Sequence, residues 1–249
     1  MSLSRTTLSV TFPDRSHAGL DQDEEWFEFR RGDGTRRLRF HDYGEIYAVP
    51  GLYEHLFYDR LKCQSPAVVT DLLCEALAAA AVDPDGLRTL DLGAGNGMVG
   101  EALRERCLES VVGVDIVPEA GEAVERDRPG VYDEYHVCDL LEPGHEIRAD
   151  LEEEPFDVLT SVAALGFGDV PPEVFTRALS LVRPGGWIAF TIKEDFLSDD
   201  DPSGFSALIA RMLADGRLIE KARRRYRHRL DVHGRPLHYI AMVGTCAAA

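Results

Sequence analysis

The first part of the chain carries short runs in which apolar and polar residues alternate. Trp26–Phe29 and Leu38–Phe40 show this alternation on either side of Gly32–Gly34, a pattern typical of two strands joined by a tight turn. Aromatic residues are then concentrated in residues 43–58. We therefore expect residues 1–60 to form an N-terminal extension made of a β-hairpin and a helical, aromatic segment.

Strands and helices alternate through the rest of the chain. Apolar residues recur at three- and four-residue steps after Pro66, which predicts a first helix that ends near Pro84. Five nearly continuous apolar runs predict buried strands: Thr89–Leu92, Val111–Val114, Tyr135–Cys138, Phe156–Val162 and Trp187–Ile192. Helical patterns separate or follow them: Met98–Cys107, Glu119–Arg126, Pro172–Leu181 and Phe205–Leu213. Two last runs, Ile219–Leu230 and Leu237–Gly244, flank His233 and Gly234 and predict a final hairpin.

This order of elements predicts an α/β fold. Buried strands separated by helices form a parallel sheet that is covered on both faces, and a terminal hairpin adds an antiparallel edge. We expect residues 61–249 to form a Rossmann-like, doubly wound, seven-stranded sheet that is mostly parallel. The chain of 249 residues is long enough for one such domain and a small extension.

Three alternate glycines follow the first strand of this unit. Gly93, Gly95 and Gly97 allow the chain to turn sharply and a ligand to touch the backbone, and the next helix presents its N-terminal amides to that ligand. Asp115 ends the second strand, near the spacing of about 20 residues at which an acid meets a ribose hydroxyl in such units. The segment therefore predicts a nucleotide site.

The ligand of this site is indicated by Asp91. Residues 95–100 also fit the GxGxxG pattern of dinucleotide-binding proteins, so an NAD(P)-dependent oxidoreductase is one alternative. A carboxylate two residues before the first glycine would repel a pyrophosphate and attract an amino group or another cation. A second possibility is that Asp91 caps local amides and has no contact with a ligand.

Asp91–Gly97 closely resembles the first motif of the class I S-adenosylmethionine-dependent methyltransferases. Weaker similarities to further motifs of that family follow along the chain, at Asp115–Ile116, Cys138–Leu140, Phe156–Ser161 and Arg183–Trp187. The resemblance covers residues 61–244, and no large target-recognition domain fits in the remaining length. It therefore points to the small-molecule branch of the family.

The resemblance implies S-adenosylmethionine as cofactor and methyl transfer to a small-molecule acceptor. It implies that Asp115 binds the ribose hydroxyls, that Ile116 lies against adenine, and that the acid at 139 meets the adenine amino group. The residues expected to bind the cofactor are Asp91, Gly93, Ala94, Gly95, Asn96, Gly97, Asp115, Ile116, Asp139, Leu140 and Ser161. Asp115 and Asp139 could instead be surface acids.

No catalytic residue and no metal ligand can be assigned from the sequence. Methyl transfer from a sulfonium depends mainly on positioning, and it needs a base only where the nucleophile holds a proton. The Asn/Asp-Pro-Pro-Tyr motif, which the family uses for amino groups of bases or glutamine, is absent from residues 160–165. Possible bases are His41, His136 and His238, although each could be an ordinary polar residue. We hypothesise that Tyr47 and Tyr53 belong to a lid that shapes the acceptor pocket; their alternative place is the core.

Net charge and composition limit the classes of molecule that this chain is expected to bind. A net charge of −17 argues against binding to nucleic acid, whose phosphates would be repelled. The basic strip Arg223–Arg229 is either solvated surface or a site for an anionic substrate, and it is the only support for modification of protein or RNA. No apolar run is long enough to span a membrane, so we expect a cytoplasmic protein. The five scattered cysteines are expected to be reduced thiols.

One further alternative is a protein of the same fold that binds the cofactor and methylates nothing. The oligomeric state and the acceptor atom cannot be deduced from the sequence.

Overall fold

Two β-sheets organise the molecule. The computed structural model describes residues 8–14, 24–31, 34–198 and 201–247. The smaller sheet is antiparallel, in the order β1-β2-β3. The N-terminal elements are β1 (Ser9–Thr11), β2 (Trp26–Arg31), β3 (Gly34–Arg39), α1 (Tyr43–Tyr47) and a π-helical turn (Glu54–Arg60). The expected hairpin is confirmed, whereas residues 32–33 of its turn lie outside the described residues.

The larger sheet has seven strands in the order β6-β5-β4-β7-β8-β10-β9. Its strands are β4 (Arg88–Leu92), β5 (Ser110–Asp115), β6 (Glu134–Val137), β7 (Phe156–Ser161), β8 (Val182–Lys193), β9 (Leu218–Leu230) and β10 (Pro236–Cys246). Strands β4 to β8 pair in parallel, and β10 runs antiparallel to both β8 and β9. The predicted doubly wound α/β fold is therefore confirmed.

Helices cover both faces of this sheet. They are α2 (Ser65–Ala79), α3 (Met98–Arg106), α4 (Pro118–Asp127), α5 (His145–Glu153), α6 (Pro172–Leu179) and α7 (Phe205–Ala214). Side chains alternate along β8, so that Ile188 and Phe190 enter the core on one face while Trp187 and Ala189 enter the core on the other. The sheet is thus buried on both sides, as the near-continuous apolar runs predict.

The N-terminal extension supplies most of a separate apolar cluster, which includes Phe27, Phe40 and Leu56 and also Val232 from the segment between β9 and β10. It is joined to the large sheet by a buried ion pair, in which Arg229 Nη2 lies 2.6 Å from Glu25 Oε2 and both side chains are at most 4% exposed. The division of the chain after residue 60 stays a prediction.

Two features differ from expectation. Cys74 on α2 and Cys107 after α3 form a disulfide, so the expectation of reduced thiols was wrong for this pair. The pairing arises because α2 and α3 pack side by side and bring the two Cα atoms to 6.3 Å, which a separation of 33 residues does not reveal. Helix α5 was not predicted, because Leu151 is its only buried residue and no periodic apolar face marks it.

Among the described residues, no helix is long and apolar enough to cross a membrane. The cytoplasmic location stays a prediction.

Candidate active site

The loop between β4 and α3 has a backbone that requires glycine. Gly93, Gly95 and Gly97 all have positive φ, at 72°, 54° and 88°. A Cβ on Gly93 would also lie 2.8 Å from the Cβ of Ala164, in the segment that follows β7. The loop therefore turns at the carboxyl edge of the sheet, in close contact with the neighbouring strand end.

Gly95 is held on three sides. Its amide donates a 2.8 Å hydrogen bond to Asp115 Oδ2, and its carbonyl accepts one of 2.8 Å from the Tyr135 hydroxyl. The Tyr47 hydroxyl lies above its Cα, at 2.5 Å from where a Cβ would stand. Strands β5 and β6 thus fix the loop from below, and the N-terminal extension covers it.

A wide cleft of about 1050 Å³ lies beside this loop, at the carboxyl edge of the sheet. Its lining includes residues from the ends of β4, β5 and β6: Gly93, Asp115, Ile116, Asp139, Leu140 and Leu141. Ile116 is 61% exposed and Leu141 is 45% exposed, so the cleft presents apolar side chains to solvent. Exposed apolar groups next to carboxylates suit a ligand with a flat apolar part and hydroxyl or amino groups.

The two acids of the cleft differ in environment. Asp115 accepts backbone amides from Gly95 and Val117, and burial raises the pKa of its carboxyl. Asp139 is exposed, and its Oδ1 accepts the amide of Leu141 at 2.9 Å. Both carboxylates are thus oriented by backbone donors beside the cleft.

Asp91 lies beneath the loop and is wholly buried. The Thr160 hydroxyl donates to its Oδ1 and the Tyr132 hydroxyl donates to its Oδ2, each at 2.7 Å. Burial raises the pKa of Asp91 to about 7. Asp91 lines neither the wide cleft nor the adjoining cavity, so a direct contact with a ligand's amino group stays a prediction.

Ser161 is also buried, and its hydroxyl has no hydrogen-bond partner among the described residues. It lines neither cavity. The residues that support the loop, Thr160, Tyr132 and Tyr135, were missed by sequence reasoning. The glycine at position 100 was a sequence signal for the packing of Tyr132. A Cβ at this position would lie 2.7 Å from the Tyr132 ring, so a larger residue would collide with it. The GxGxxG pattern therefore has a packing explanation that needs no dinucleotide.

A second, smaller cavity of about 60 Å³ adjoins the cleft and is walled by aromatic rings. We call it the aromatic cavity; its aromatic lining is Phe40, Tyr43, Tyr47, Tyr53, Phe57, Tyr58, Phe167 and Tyr239. The centroids of Tyr47 and Tyr53 are 5.0 Å apart, and those of Tyr53 and Phe57 are 4.7 Å apart. The segment that includes Tyr47 and Tyr53 therefore forms a continuous wall over the glycine loop.

Polar contacts hold this segment on the loop. Asn96, 2% exposed, donates from Nδ2 to Glu54 Oε1 at 2.8 Å. Arg128 donates to the same Glu54 oxygen at 2.7 Å, and Arg126 donates to the carbonyl of Tyr47 at 3.0 Å. Asn96, expected to bind a cofactor, thus connects the loop to the extension.

Of the three proposed histidine bases, only His41 lines the wide cleft and the aromatic cavity. His136 lies on β6 with Nε2 at 3.2 Å from Glu134, and His238 lies on β10; neither lines the cleft or the aromatic cavity. His41 Nδ1 lies 2.8 Å from Asp169 Oδ2. His228, which sequence reasoning missed, also lines the aromatic cavity, and burial holds its pKa well below the usual range.

Comparison with known proteins decides the family. A family model described as a methyltransferase domain matches residues 67–235. The chain belongs to this methyltransferase family. The resemblance to class I S-adenosylmethionine-dependent methyltransferases is thereby confirmed, with S-adenosylmethionine as the cofactor of the family.

Solved structures of other proteins have a similar fold. N-methyltransferase NodS from Bradyrhizobium japonicum WM9, in complex with S-adenosyl-L-homocysteine, is 14% identical with a TM-score of 0.55; the match covers 83% of this chain and 97% of that one. A Thermoplasma acidophilum protein is 16% identical with a TM-score of 0.50, over 75% and 92% of the two chains. No curated protein matches the chain. Likeness at these identities shows the fold alone.

The basic strip of this methyltransferase is neutralised by acids. Arg223 pairs with Glu220, Arg224 with Glu75 and Arg225 with Glu194, at 2.6 to 2.8 Å. Arg229 pairs with Glu25, so four of the five arginines of the strip are paired with acids.

Proposed function

We propose that this chain transfers a methyl group from S-adenosylmethionine to a small-molecule acceptor bound in the aromatic cavity. The observation that carries the proposal is the joining of the two cavities at the glycine loop. The wide cleft offers polar and apolar groups for a nucleoside, and the aromatic cavity continues from it under the N-terminal extension.

The residues present fit the cofactor. Exposed Ile116 and Leu141 would hold the adenine faces, Asp139 would accept from its amino group, and Asp115 would accept from the ribose hydroxyls. When bound, S-adenosylmethionine supplies a methyl group on a positively charged sulfur for displacement by a nucleophile. The cleft volume of about 1050 Å³ is slightly above the usual range for small-ligand sites, about 300 to 1000 Å³.

Asp91 would act on the cofactor through the loop. Its two hydroxyl donors, Thr160 and Tyr132, hold it beneath Gly93–Gly97 and fix the floor of the site. A carboxyl with a pKa of about 7 can carry a charge at neutral pH, which would favour a cationic ligand nearby. Ser161, which is buried at the end of β7, would also act on the cofactor indirectly, by supporting the floor of the site.

The aromatic cavity favours a small acceptor. Its volume of about 60 Å³, under the cover formed by Tyr47 and Tyr53, leaves no room for a segment of a polymer. We propose that these two tyrosines move to admit the acceptor and close again over it. The paired arginines of β9 support the same conclusion, because they leave little free positive charge for nucleic acid.

Calorimetry with S-adenosylhomocysteine and with NAD tests the proposal. The protein should bind the former and not the latter. Asp115→Asn should weaken S-adenosylhomocysteine binding by about 10- to 100-fold, since it alters a charged acceptor worth about 1.4 to 2.8 kcal/mol. Asp133→Asn is the matched control, because Asp133 also accepts a backbone amide, that of Val111, but lines neither cavity.

Three outcomes would contradict parts of the proposal. Binding of NAD alone would favour an oxidoreductase. Equal effects of the two substitutions would remove Asp115 from the site. Binding without turnover, across a panel of small molecules, proteins and RNA, would favour the protein of the same fold that methylates nothing.

A further inference from the structure

We propose that His41, oriented by Asp169, is the base that removes the proton from the attacking atom of the acceptor, and that this acceptor is a hydroxyl compound. The inference rests on the proposed function, because it assigns a role in the same site. It is carried by the position of the two side chains, their mutual contact and the backbone that places them.

The pair stands where the two cavities meet. The wide cleft and the aromatic cavity share eight lining residues: His41, Tyr43, Tyr47, Tyr53, Gly93, Val162, Ala163 and Asp169. Among these, His41 and Asp169 are the imidazole and the carboxylate. A cofactor held by its nucleoside in the cleft and an acceptor held in the aromatic cavity would meet at this junction.

The contact between the pair fixes which ring nitrogen can accept a proton. His41 Nδ1 lies 2.8 Å from Asp169 Oδ2. An ionised carboxylate only accepts, so Nδ1 carries the hydrogen and the neutral ring keeps its lone pair on Nε2. No hydrogen bond among the described residues uses Nε2. Packing against Tyr43 and Phe167, at centroid distances of 5.7 and 5.4 Å, holds the ring in this orientation.

The chain adopts an unusual backbone to place Asp169. After β7, Gly166, Phe167 and Gly168 all have positive φ, at 93°, 52° and 86°. For Phe167 this conformation is strained, by an amount on the order of 1–3 kcal/mol, and such strain is found mostly at functional sites. A Cβ on Gly166 would lie 2.3 Å from the ring of Phe196, so no larger residue fits there. The loop thus delivers the carboxylate to His41 at a cost in stability.

A base at this position indicates the chemistry of the acceptor. A carboxylate or a thiolate needs no base, whereas a hydroxyl must lose its proton as it reacts. The proton would pass to His41 Nε2 while the acceptor oxygen forms a bond to the methyl carbon. The bond from that carbon to sulfur breaks, and its electron pair stays on sulfur. Asp169 stabilises the resulting imidazolium, which then releases the proton to water. The aromatic walls favour a phenol among hydroxyl compounds.

Other charged and titratable groups face the pair from several elements. Tyr43 lies against the His41 ring, and its pKa is raised by burial and by Asp169. Asp115 interacts electrostatically with Asp169, Arg229 interacts electrostatically with Tyr43, and Lys193 lies over the ring of Phe167 at 5.5 Å. The pH dependence of the reaction must therefore be compared between variants.

The first test is the tautomer of His41, measured by nitrogen NMR on histidine-labelled protein with S-adenosylhomocysteine bound. The signal is assigned with His41→Gln. We expect the neutral ring to carry its hydrogen on Nδ1, and Asp169→Asn to change that ratio toward Nε2. A hydrogen on Nε2 in the wild type, or no change in the variant, would overturn the inference.

Calorimetry separates this inference from the proposed function. His41→Gln and Asp169→Asn should bind S-adenosylhomocysteine within about twofold of the wild type. Failure of the wild type to bind would reject the proposed function. Normal binding with the wrong tautomer would reject only the role of His41.

The second test uses S-adenosylmethionine with a panel of phenols and primary amines as probes. For a phenol that reacts, His41→Gln should lower kcat by about 100-fold or more and remove the fall in rate at acidic pH. Asp169 is a positioning residue, so Asp169→Asn should lower kcat by about tenfold with little change in KM and a displaced pH profile. His238→Gln is the control and should behave as the wild type. Turnover by His41→Gln within threefold of the wild type, or turnover of amines alone, would contradict the proposal.

Discussion

The wide cleft and the aromatic cavity are neighbours that are built in different ways. Asp115 ends β5 and Asp139 follows β6 by two residues, so the order of strands brings both acids of the cleft to one edge of the sheet. The aromatic cavity collects His41, Asp169 and His228 from three distant parts of the chain. A ligand site that depends on strand ends can be found from sequence, whereas one that depends on tertiary packing cannot.

The largest expected effect concerns the attachment of the N-terminal extension, which covers the aromatic cavity. Glu25→Gln would leave Arg229 buried without its carboxylate, and breaking a buried pair costs about 3–5 kcal/mol. Urea unfolding should show a loss of this size. Glu75→Gln, which breaks the exposed pair with Arg224, should change stability by at most about 0.5 kcal/mol.

Glu25→Gln also tests whether the wide cleft keeps its function when the attachment of the N-terminal extension is weakened. Since Glu25 lies outside the wide cleft, folded Glu25→Gln should keep its affinity for S-adenosylhomocysteine within about twofold. A parallel loss of stability and affinity would show that the ion pair also positions the extension residues that line the cleft, among them His41 and Tyr47.

Features of the fold that depend on local sequence could be predicted, and features that depend on tertiary packing could not. The positions of the seven strands along the chain, the terminal hairpin and the glycine turn were predicted, because each depends on local periodicity or on a positive φ. Helix α5 was missed because it buries a single residue. The Cys74–Cys107 bridge was missed because helix packing, which spacing does not encode, brings the two residues together.

The candidate site shows the same limit at the level of single residues. Asp115, Ile116, Asp139 and Leu140 line the cleft, and their contacts with a cofactor stay predictions. Asp91 and Ser161 belong to two other motifs of the family and face inward, because successive side chains of a strand point to opposite faces and the sheet is buried on both. His41 was named with two other histidines, and its place beside both cavities and its contact with Asp169 distinguish it from them.

A second prediction concerns the inward-facing acid, and its size is about 3 kcal/mol. The pKa of Asp91 is about 7 in the folded protein, against 3.8 for an ordinary aspartate. Between these values the folded state holds a proton that the unfolded state has lost, so the contribution of Asp91 to stability falls as pH rises, by about 1.4 kcal/mol per pKa unit. The stability of the wild type relative to Asp91→Asn should decline by about 3 kcal/mol from pH 4 to pH 7.5 in urea unfolding.

Calorimetry on Asp91→Asn tests whether Asp91 only supports the glycine loop or also acts on the cofactor through its charge. If Asp91 only supports the loop, S-adenosylhomocysteine affinity should depend on pH equally in Asp91→Asn and in the wild type. A pH-independent difference in stability would show that the carboxylate is charged throughout, and the buried environment described for it would not hold.

The smallest expected effect concerns the contact between Gly95 of the glycine loop and Tyr47 of the N-terminal extension. Gly95→Ala places a Cβ 2.5 Å from the Tyr47 hydroxyl and imposes a positive φ on alanine. We expect S-adenosylhomocysteine binding to weaken by about tenfold, or 1.4 kcal/mol, because the cover must shift. Gly86→Ala is the matched control: its φ of 78° imposes similar strain, but nothing lies within 4 Å of the added carbon.

A double variant separates contact from strain at the same position. Tyr47→Phe removes the hydroxyl and leaves the ring carbon Cζ at 3.4 Å from the added methyl group, a tolerable distance. Gly95→Ala combined with Tyr47→Phe should therefore recover most of the lost affinity, while Tyr47→Phe alone should change it by less than about threefold. If the double variant binds as weakly as Gly95→Ala, the loss comes from the backbone of the loop. The cover would then be a neighbour of the cofactor site with no influence on it.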